Sequence, residues 1–180
     1  MKNRSTTACS QGFSLVEVMI ALIIICVGML GIAKLQALVL SNTGASRTRA
    51  LAALEASSIA ASMHANRDYW TGSPAASTIV SSTGVTSSDS NLQTSPQCFY
   101  GGSDAPCTTP VKLAAFDLAN WQQDMANVLP GATSTIACAT NVGVVSCTIV
   151  ITWQENAVAS NAQEGTNPFQ TQNYQLVVDP

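Results

Sequence analysis

Charged residues are scarce in this chain, and basic residues are scarcest in its second half. Only 9% of the 180 residues are charged, whereas about a quarter is usual in soluble proteins. Past Trp70 there is one basic residue, Lys112, against seven acidic ones. Binding to a nucleic-acid backbone requires several Lys or Arg side chains to neutralise phosphates. The sequence therefore predicts no nucleic-acid partner.

Residues that commonly carry out catalysis are also few. The single histidine, His64, lies among Ala, Ser and Met residues, so no Ser-His-Asp arrangement can be assembled around it. No glycine-rich phosphate loop follows a strand pattern. The acidic residues past Trp70 are scattered rather than paired. We expect a protein that is not an enzyme and that holds no cofactor.

Proline is absent from Met1 to Ser73, and charge is absent from Val18 to Ala33. This uninterrupted stretch predicts one long helix over residues 13–68, of which about 13–35 would cross a membrane. A cleaved secretory signal would end after the apolar run, but here the helical pattern continues. Two apolar stripes are expected further along the helix: Leu35, Leu38, Val39 and Asn42, then Leu51, Leu54, Ser58 and Ile59.

Glu17 stands at the start of this apolar run. A carboxylate inside a bilayer costs about 2.5–3.5 kcal/mol on insertion scales. In the first turn of a helix it complements the positive end of the helix dipole. Even so, a charge in a medium of low dielectric constant needs a positive partner.

The stretch Gly12-Phe13-Ser14-Leu15-Val16-Glu17 resembles the class III signal of type IV pilins and pseudopilins. The resemblance implies that residues 1–12 are a leader, cut by prepilin peptidase between Gly12 and Phe13, and that the new amine of Phe13 is methylated. It also implies that Glu17 sets the register between subunits by meeting the Phe13 amine of a neighbour. An ordinary membrane anchor with a stray acid is the rival interpretation.

Orientation and compartment follow from the charges and cysteines. Lys2 and Arg4 precede the apolar run, which favours a cytoplasmic N-terminus and a periplasmic head over residues 69–180. Cys9 belongs to the leader and Cys26 to the apolar run. The remaining four cysteines lie in the predicted periplasmic head: Cys98, Cys107, Cys138 and Cys147. An even number of cysteines in an oxidising compartment indicates two disulfides.

Three pairings of these cysteines are possible. The shared C-x8-C spacing favours Cys98–Cys107 and Cys138–Cys147. A zinc site is the rival interpretation, but the C-x-x-C spacing typical of such sites is missing, so we expect no metal. If Val142 and Gly143 form a two-residue hairpin turn, Cys138 faces Cys147 as a pair without mutual backbone hydrogen bonds, close enough for a bridge.

The head pattern predicts an α+β fold. Residues 71–97 are dominated by Ser, Thr and Gly, which indicates a loop. A helix should follow, capped by Thr109 with Pro110 in its first turn and stopped at Pro130-Gly131. Its expected stripe is Leu118, Trp121, Met125 and Val128. Alternation in "ATSTIACA", "VVSCTIVITW" and "NYQLVV" predicts an antiparallel sheet of three or four strands. This order is similar to the pilin fold.

The head also resembles the minor pilins of the PilV class, which tend to have a tryptophan-bearing helix ending in Leu-Pro-Gly and a strand ending in Thr-Trp-x-Glu. The matching positions are Trp121, Leu129, Pro130, Gly131, Thr152, Trp153 and Glu155. Major pilins carry a proline in the apolar half of the long helix, whereas the first proline here is Pro74, and this difference favours a minor subunit.

This resemblance implies a minor pilin that helps to prime pilus assembly within a tip complex. The implied partners are other minor pilins and the major pilin through the N-terminal helix, prepilin peptidase and the inner membrane, with a tip adhesin as a further candidate. The protein would lie in the inner membrane before assembly and in the pilus afterwards. The alternative is a minor pseudopilin of a type II secretion system.

Overall fold

A computed structural model describes residues 14–94, 96, 98, 107–156 and 169–180. The helices are α1 (Leu15–Ala65), α2 (Arg67–Trp70) and α3 (Pro110–Val128), with a short 3-10 helix at Ser90–Gln93. The strands are β1 (Ser77–Ser81), β2 (Gly84–Ser87), β3 (Thr133–Asn141), β4 (Val144–Asn156) and β5 (Phe169–Val178). The chain divides between Asn42 and Thr43 into two compact units.

In the first unit, the described residues after Ser14 are helical. The segment Leu15–Gln36 has a mean hydropathy of 2.8 over 22 residues. It is the one helix among the described residues that is long and apolar enough to cross a membrane. Its side chains are exposed in the isolated chain. Because such exposure is unfavourable in water, this surface requires lipid or other apolar helices around it.

In the second unit, α1 buries a stripe of mostly small side chains. Ala52, Ala56, Ile59 and Met63 are buried at intervals of three or four residues, as one helix face requires. The expected stripe through Leu54 and Ser58 is therefore wrong, apart from Ile59 and the partly buried Leu51. Leu54 is 65% exposed. Alanine on the buried face lets neighbouring elements approach the helix backbone closely.

The head contains one five-stranded sheet in the order β2-β1-β3-β4-β5, with every neighbouring pair antiparallel. The α+β class with a long N-terminal helix is confirmed, but the expected number of three or four strands is wrong. The extra strands β1 and β2 lie within residues 71–97, which were expected to be a loop. Thr78 and Val80 are buried there in alternation, and β1 pairs with β3 across more than fifty residues of sequence.

One face of the sheet packs with α1 and α3 in a single buried cluster. The alternation predicted for β4 is confirmed, because its inward side chains are buried: Val145, Cys147, Ile149, Ile151 and Trp153. Helix α3 contributes Leu118, Trp121 and Met125 as expected. Val128 is 36% exposed, whereas Leu129 is buried instead. Thr109 occupies the N-cap position without a side-chain capping bond, so its expected capping bond is wrong.

The hairpin between β3 and β4 has the predicted register. Val142 and Gly143 form the turn with φ angles of 51° and 82°. Asn141 pairs with Val144, and Cys138 pairs with Cys147. The Cys138 N–H donates to the carbonyl of Ala76 beside β1. Since its backbone groups point toward β1, Cys138 and Cys147 form a pair without mutual backbone hydrogen bonds, as predicted.

Candidate functional site

Glu17 lies in the first turn of α1 and is exposed in the isolated chain. The turn is closed by a 3.3 Å hydrogen bond from the Val18 N–H to the Ser14 carbonyl. Glu17, Ala21 and Ile25 border the same groove on the helix surface, because residues four apart share a face. The carboxylate is thus presented sideways, on a face otherwise formed by apolar side chains.

The predicted cleavage and methylation residues Gly12 and Phe13 lie outside the described residues, which begin at Ser14. Helix α1 starts at Leu15, so the N-terminal end of this helix lies next to the predicted cut. An N-terminal amine and a first-turn carboxylate at this boundary would be close neighbours in sequence. The pairing of Glu17 with a neighbour's amine stays a prediction.

A second constellation lies in the head, where Glu155 accepts several hydrogen bonds. Trp153 Nε1 donates to Oε1 at 2.9 Å, and Thr48 Oγ1 donates to the same oxygen at 3.0 Å. Arg49 Nη2 lies 3.2 Å from Oε2. The Glu155 side chain is 10% exposed and that of Arg49 is 59% exposed. We call Thr48, Arg49, Trp153 and Glu155 the helix–strand clasp.

The electrostatics of the clasp favour the ionised carboxylate. Burial alone raises the pKa of Glu155, but hydrogen bonds from Trp153, Arg49 and Thr48, together with the Arg49 charge, outweigh it. The net pKa therefore lies below its usual value of 4.5. This follows from donors that prefer a charged acceptor. The clasp holds the C-terminal part of β4 against the turn of α1 that contains Thr48 and Arg49.

Other residues that carry the resemblance to minor pilins attach α3 to α1 or shape the end of α3, whereas Thr152 lies within β4 and pairs with Thr133 and Asn173. Trp121 Nε1 donates 3.0 Å to the carbonyl of Glu55 on α1. After α3, Ala132 N–H donates to the Leu129 carbonyl, and Gly131 has a φ of 79°. A side chain at that φ would be strained, so glycine suits the position. These residues have a structural role in this fold.

Sequence reasoning missed the partners of this motif. Thr48 and Arg49 lie on a polar stretch of α1 that carries no recognisable pattern, and both are far from Glu155 in sequence. The W-x-E spacing itself was a usable signal, because residues two apart on a strand point to the same side. What the spacing does not give is the turn of α1 that lies opposite.

Both expected cysteine pairs are joined as disulfides in the structure. Cys138 and Cys147 have Cα atoms 4.0 Å apart, and those of Cys98 and Cys107 are 5.1 Å apart. Cys26 is free and exposed in the isolated chain. Among the described residues, no group of His, Cys, Asp or Glu could hold a metal ion. The exposed His64 lines a polar cavity with Arg67, Asp68 and Thr109.

Residues 7–33 match the family model described as the prokaryotic N-terminal methylation motif. The chain therefore carries a type IV pilin-like prepilin signal, followed by an apolar helix that fits membrane anchoring. No curated protein and no solved structure matches the chain. The motif supports a type IV pilin or a pseudopilin, a class of proteins that is structural rather than catalytic.

Proposed function

We propose that this protein is a minor pilin of a bacterial type IV pilus, which helps to prime assembly within a tip complex. The observation that carries the proposal is the methylation motif at residues 7–33, running directly into an apolar helix whose C-terminal part is built into the core of the head. A helix that serves only as a membrane anchor does not need to continue into the core of the head. A subunit that leaves the bilayer and packs against other subunits through its helix needs this continuation.

The position of Glu17 supports this role. A carboxylate on an apolar face is costly in the membrane, and an amine from a neighbouring subunit would offset that cost. In this proposal, prepilin peptidase cuts between Gly12 and Phe13, and the methylated Phe13 amine of one subunit meets Glu17 of the next. The pair forms only when helices pack at one axial offset, so it would set the register of the filament.

The head supports a minor rather than a major subunit through its resemblance to the PilV class. The residues of that resemblance build the helix–strand clasp, the Trp121 hydrogen bond to α1 and the end of α3. Its partners would be other minor pilins and the major pilin, with a tip adhesin as a further candidate. The head would face the periplasm before assembly.

Deletion of the gene in its own bacterium tests the proposal. We expect surface pili to be lost or strongly reduced, with protein secretion unchanged and pili restored by the intact gene. Loss of secretion with normal pili would instead identify the type II secretion pseudopilin. Complementation with the Glu17→Ala variant serves as the matched control, because it keeps the head intact while removing the proposed register contact.

A further inference from the structure

Helix α1 has its weakest helix-forming sequence in the second compact unit at residues 43–47, which read Thr-Gly-Ala-Ser-Arg. Glycine is the weakest helix former after proline, and Thr and Ser also rank below Ala. By contrast, six of the twelve residues 50–61 are alanine, the best helix former. Within this unit, local unwinding of α1 is therefore easiest at residues 43–47, which we call the joint.

The joint lies outside the buried core of the head. Thr43, Gly44, Ser46 and Arg47 are exposed in the isolated chain. Among the described residues, α1 joins the buried cluster only from Leu51 onward. Most helical stability in proteins comes from packing of a buried face. The core therefore does not hold the joint in helical form, and such segments are the first to open locally.

Thr48 connects the joint to the helix–strand clasp. Its hydroxyl lies 2.9 Å from the Ala45 carbonyl in the joint and 3.0 Å from Oε1 of Glu155. A hydroxyl has one hydrogen, so it donates to one of these acceptors at a time. Unwinding of the joint removes the Ala45 carbonyl and leaves Glu155 as the acceptor. The clasp can therefore stay closed while the joint is open.

Thr48 is also a suitable first residue for the helix that remains after unwinding. Threonine is a preferred N-cap residue, because its side-chain oxygen accepts a hydrogen bond from a backbone N–H two or three residues further on. The ionised Glu155 carboxylate would lie beside this new N-terminus, where a negative charge complements the helix dipole. Unwinding beyond Thr48 would lose both interactions and would reach the buried Ala52.

We propose that the joint unwinds reversibly as a unit and that the helix–strand clasp stops the unwinding at Thr48. An extended residue spans about 3.3 Å instead of 1.5 Å, so the five residues lengthen the chain by up to about 9 Å. The core of the head stays packed during this change. The inference goes beyond the proposed function and does not depend on it, because the opening is a property of the single chain.

Amide hydrogen exchange tests the joint, measured residue by residue by NMR on the full-length chain in detergent micelles. After correction for intrinsic rates, residues 43–47 should exchange at least about tenfold faster than residues 56–63. Gly44→Ala should slow exchange in the joint about fivefold, the factor that corresponds to the ~1 kcal/mol difference in helix propensity. An added Cβ at Gly44 meets no atom within 4 Å, so alanine fits there.

Gly31→Ala is the matched control for the joint, because a Cβ at Gly31 also meets no atom within 4 Å. It should leave the exchange of residues 43–47 unchanged. Equal protection of residues 43–47 and 56–63, or an unchanged rate in Gly44→Ala, would overturn the proposal.

Two substitutions at Thr48 test the stop. Thr48→Val keeps the branched shape but removes the hydroxyl, so exchange of residues 50–53 should become about threefold to tenfold faster, as expected for loss of an N-cap. Thr48→Ser keeps the hydroxyl and should retain the protection of the parent. Unchanged exchange in Thr48→Val, or equal acceleration in both variants, would refute the stop at Thr48. Neither outcome involves filaments, so a failure of the pilin function and a failure of this inference are distinguishable.

Discussion

The indole Nε1 of Trp153 donates a 2.9 Å hydrogen bond to Oε1 of Glu155, two residues further along β4. That oxygen also accepts a hydrogen bond from Thr48 on α1. Side chains two apart on a strand lie on the same face of the sheet. Within the W-x-E motif, Trp153 therefore orients the carboxylate of Glu155, and Thr48 of α1 donates to the same carboxylate. These hydrogen bonds tie the end of β4 to α1.

Glu155→Ala should destabilise the full-length chain. It leaves the indole N–H of the buried Trp153 without its acceptor, which costs about 1–3 kcal/mol, whereas Thr48 can still donate to the Ala45 carbonyl 2.9 Å away. Glu155→Gln keeps an acceptor oxygen and should lose less. Thermal unfolding in detergent, followed by near-UV circular dichroism, measures both variants. Equal stability of the Ala variant and the parent would show that the clasp contributes nothing.

The clasp should also weaken in acid. The folded pKa of Glu155 lies below its usual 4.5, so its stabilising effect is present above pH 4.5 and is lost as the pH falls through the lower folded value. The parent should therefore lose stability relative to Glu155→Gln between about pH 5 and pH 3. Parallel melting curves for the two chains across this range would contradict the assignment.

Asp117 should show the opposite pH dependence. Burial raises its pKa from 3.8 to about 6. A raised folded pKa favours the neutral acid, so stability is greatest below pH 3.8 and decreases as the pH rises to about 6. Asp117→Asn should stabilise the chain at pH 7.5 by about 1 kcal/mol, once solvent screening of this partly buried group is included. Asp179→Asn, at an exposed position, is the control and should change little.

Local patterns predicted the parts of the fold that are held by neighbours in sequence. The Val142-Gly143 turn fixed the register of β3 and β4, and alternation along β4 identified its buried face. Helix α3 followed from Pro110 and Pro130-Gly131, which bracket an apolar stripe. In each case the signal lies within about twenty residues, and local propensity agrees with the final packing.

Patterns failed where distant segments decide the structure. Strand β1 looks like a loop by composition, but pairing with β3 gives its Thr and Ser residues a strand environment, which threonine suits. On α1, Leu54 is more hydrophobic than Ala52 or Ala56, yet the alanines are buried. The buried face is chosen by where the sheet and α3 dock, which helical periodicity does not reveal. For the same reason, the sequence did not predict that Thr48 and Arg49 contact Glu155 in the clasp.

Glu17→Ala should leave membrane insertion intact, because it removes a charge from the apolar segment. Its recovery in sheared pili should fall, since the Phe13 amine of a neighbour loses its partner. Immunoblots of membrane and pilus fractions measure both quantities. Lys34→Ala, which removes the other charge of Leu15–Gln36, is the matched control. Normal amounts of the Glu17 variant in pili would refute the register role.

A bulky residue at position 12, as in Gly12→Leu, should block removal of the leader. The membrane form would then remain twelve residues heavier than the processed parent, the length of the segment that ends at Gly12. Mass spectrometry of the purified membrane form gives the mass directly, and it also shows whether the Phe13 amine of the parent is methylated. Cleavage at any other bond would displace the predicted N-terminus.

The disulfide at the base of the hairpin should stabilise the head without being needed to form the sheet. Nine residue pairs hold β3 to β4, from Thr133–Thr152 to Asn141–Val144, and only one of them is the cysteine pair. Closing so short a loop restricts the unfolded chain and stabilises the fold by about 2–3 kcal/mol on the chain-entropy model. The double variant Cys138→Ser with Cys147→Ser should therefore melt at a lower temperature, with far-UV circular dichroism nearly unchanged at 25 °C. Cys26→Ser, which removes the free thiol, is the control and should leave the Tm unchanged.

A non-reduced digest of the parent should yield Cys98–Cys107 and Cys138–Cys147 as separate linked peptides, and crossed pairing or four free thiols would disprove this arrangement.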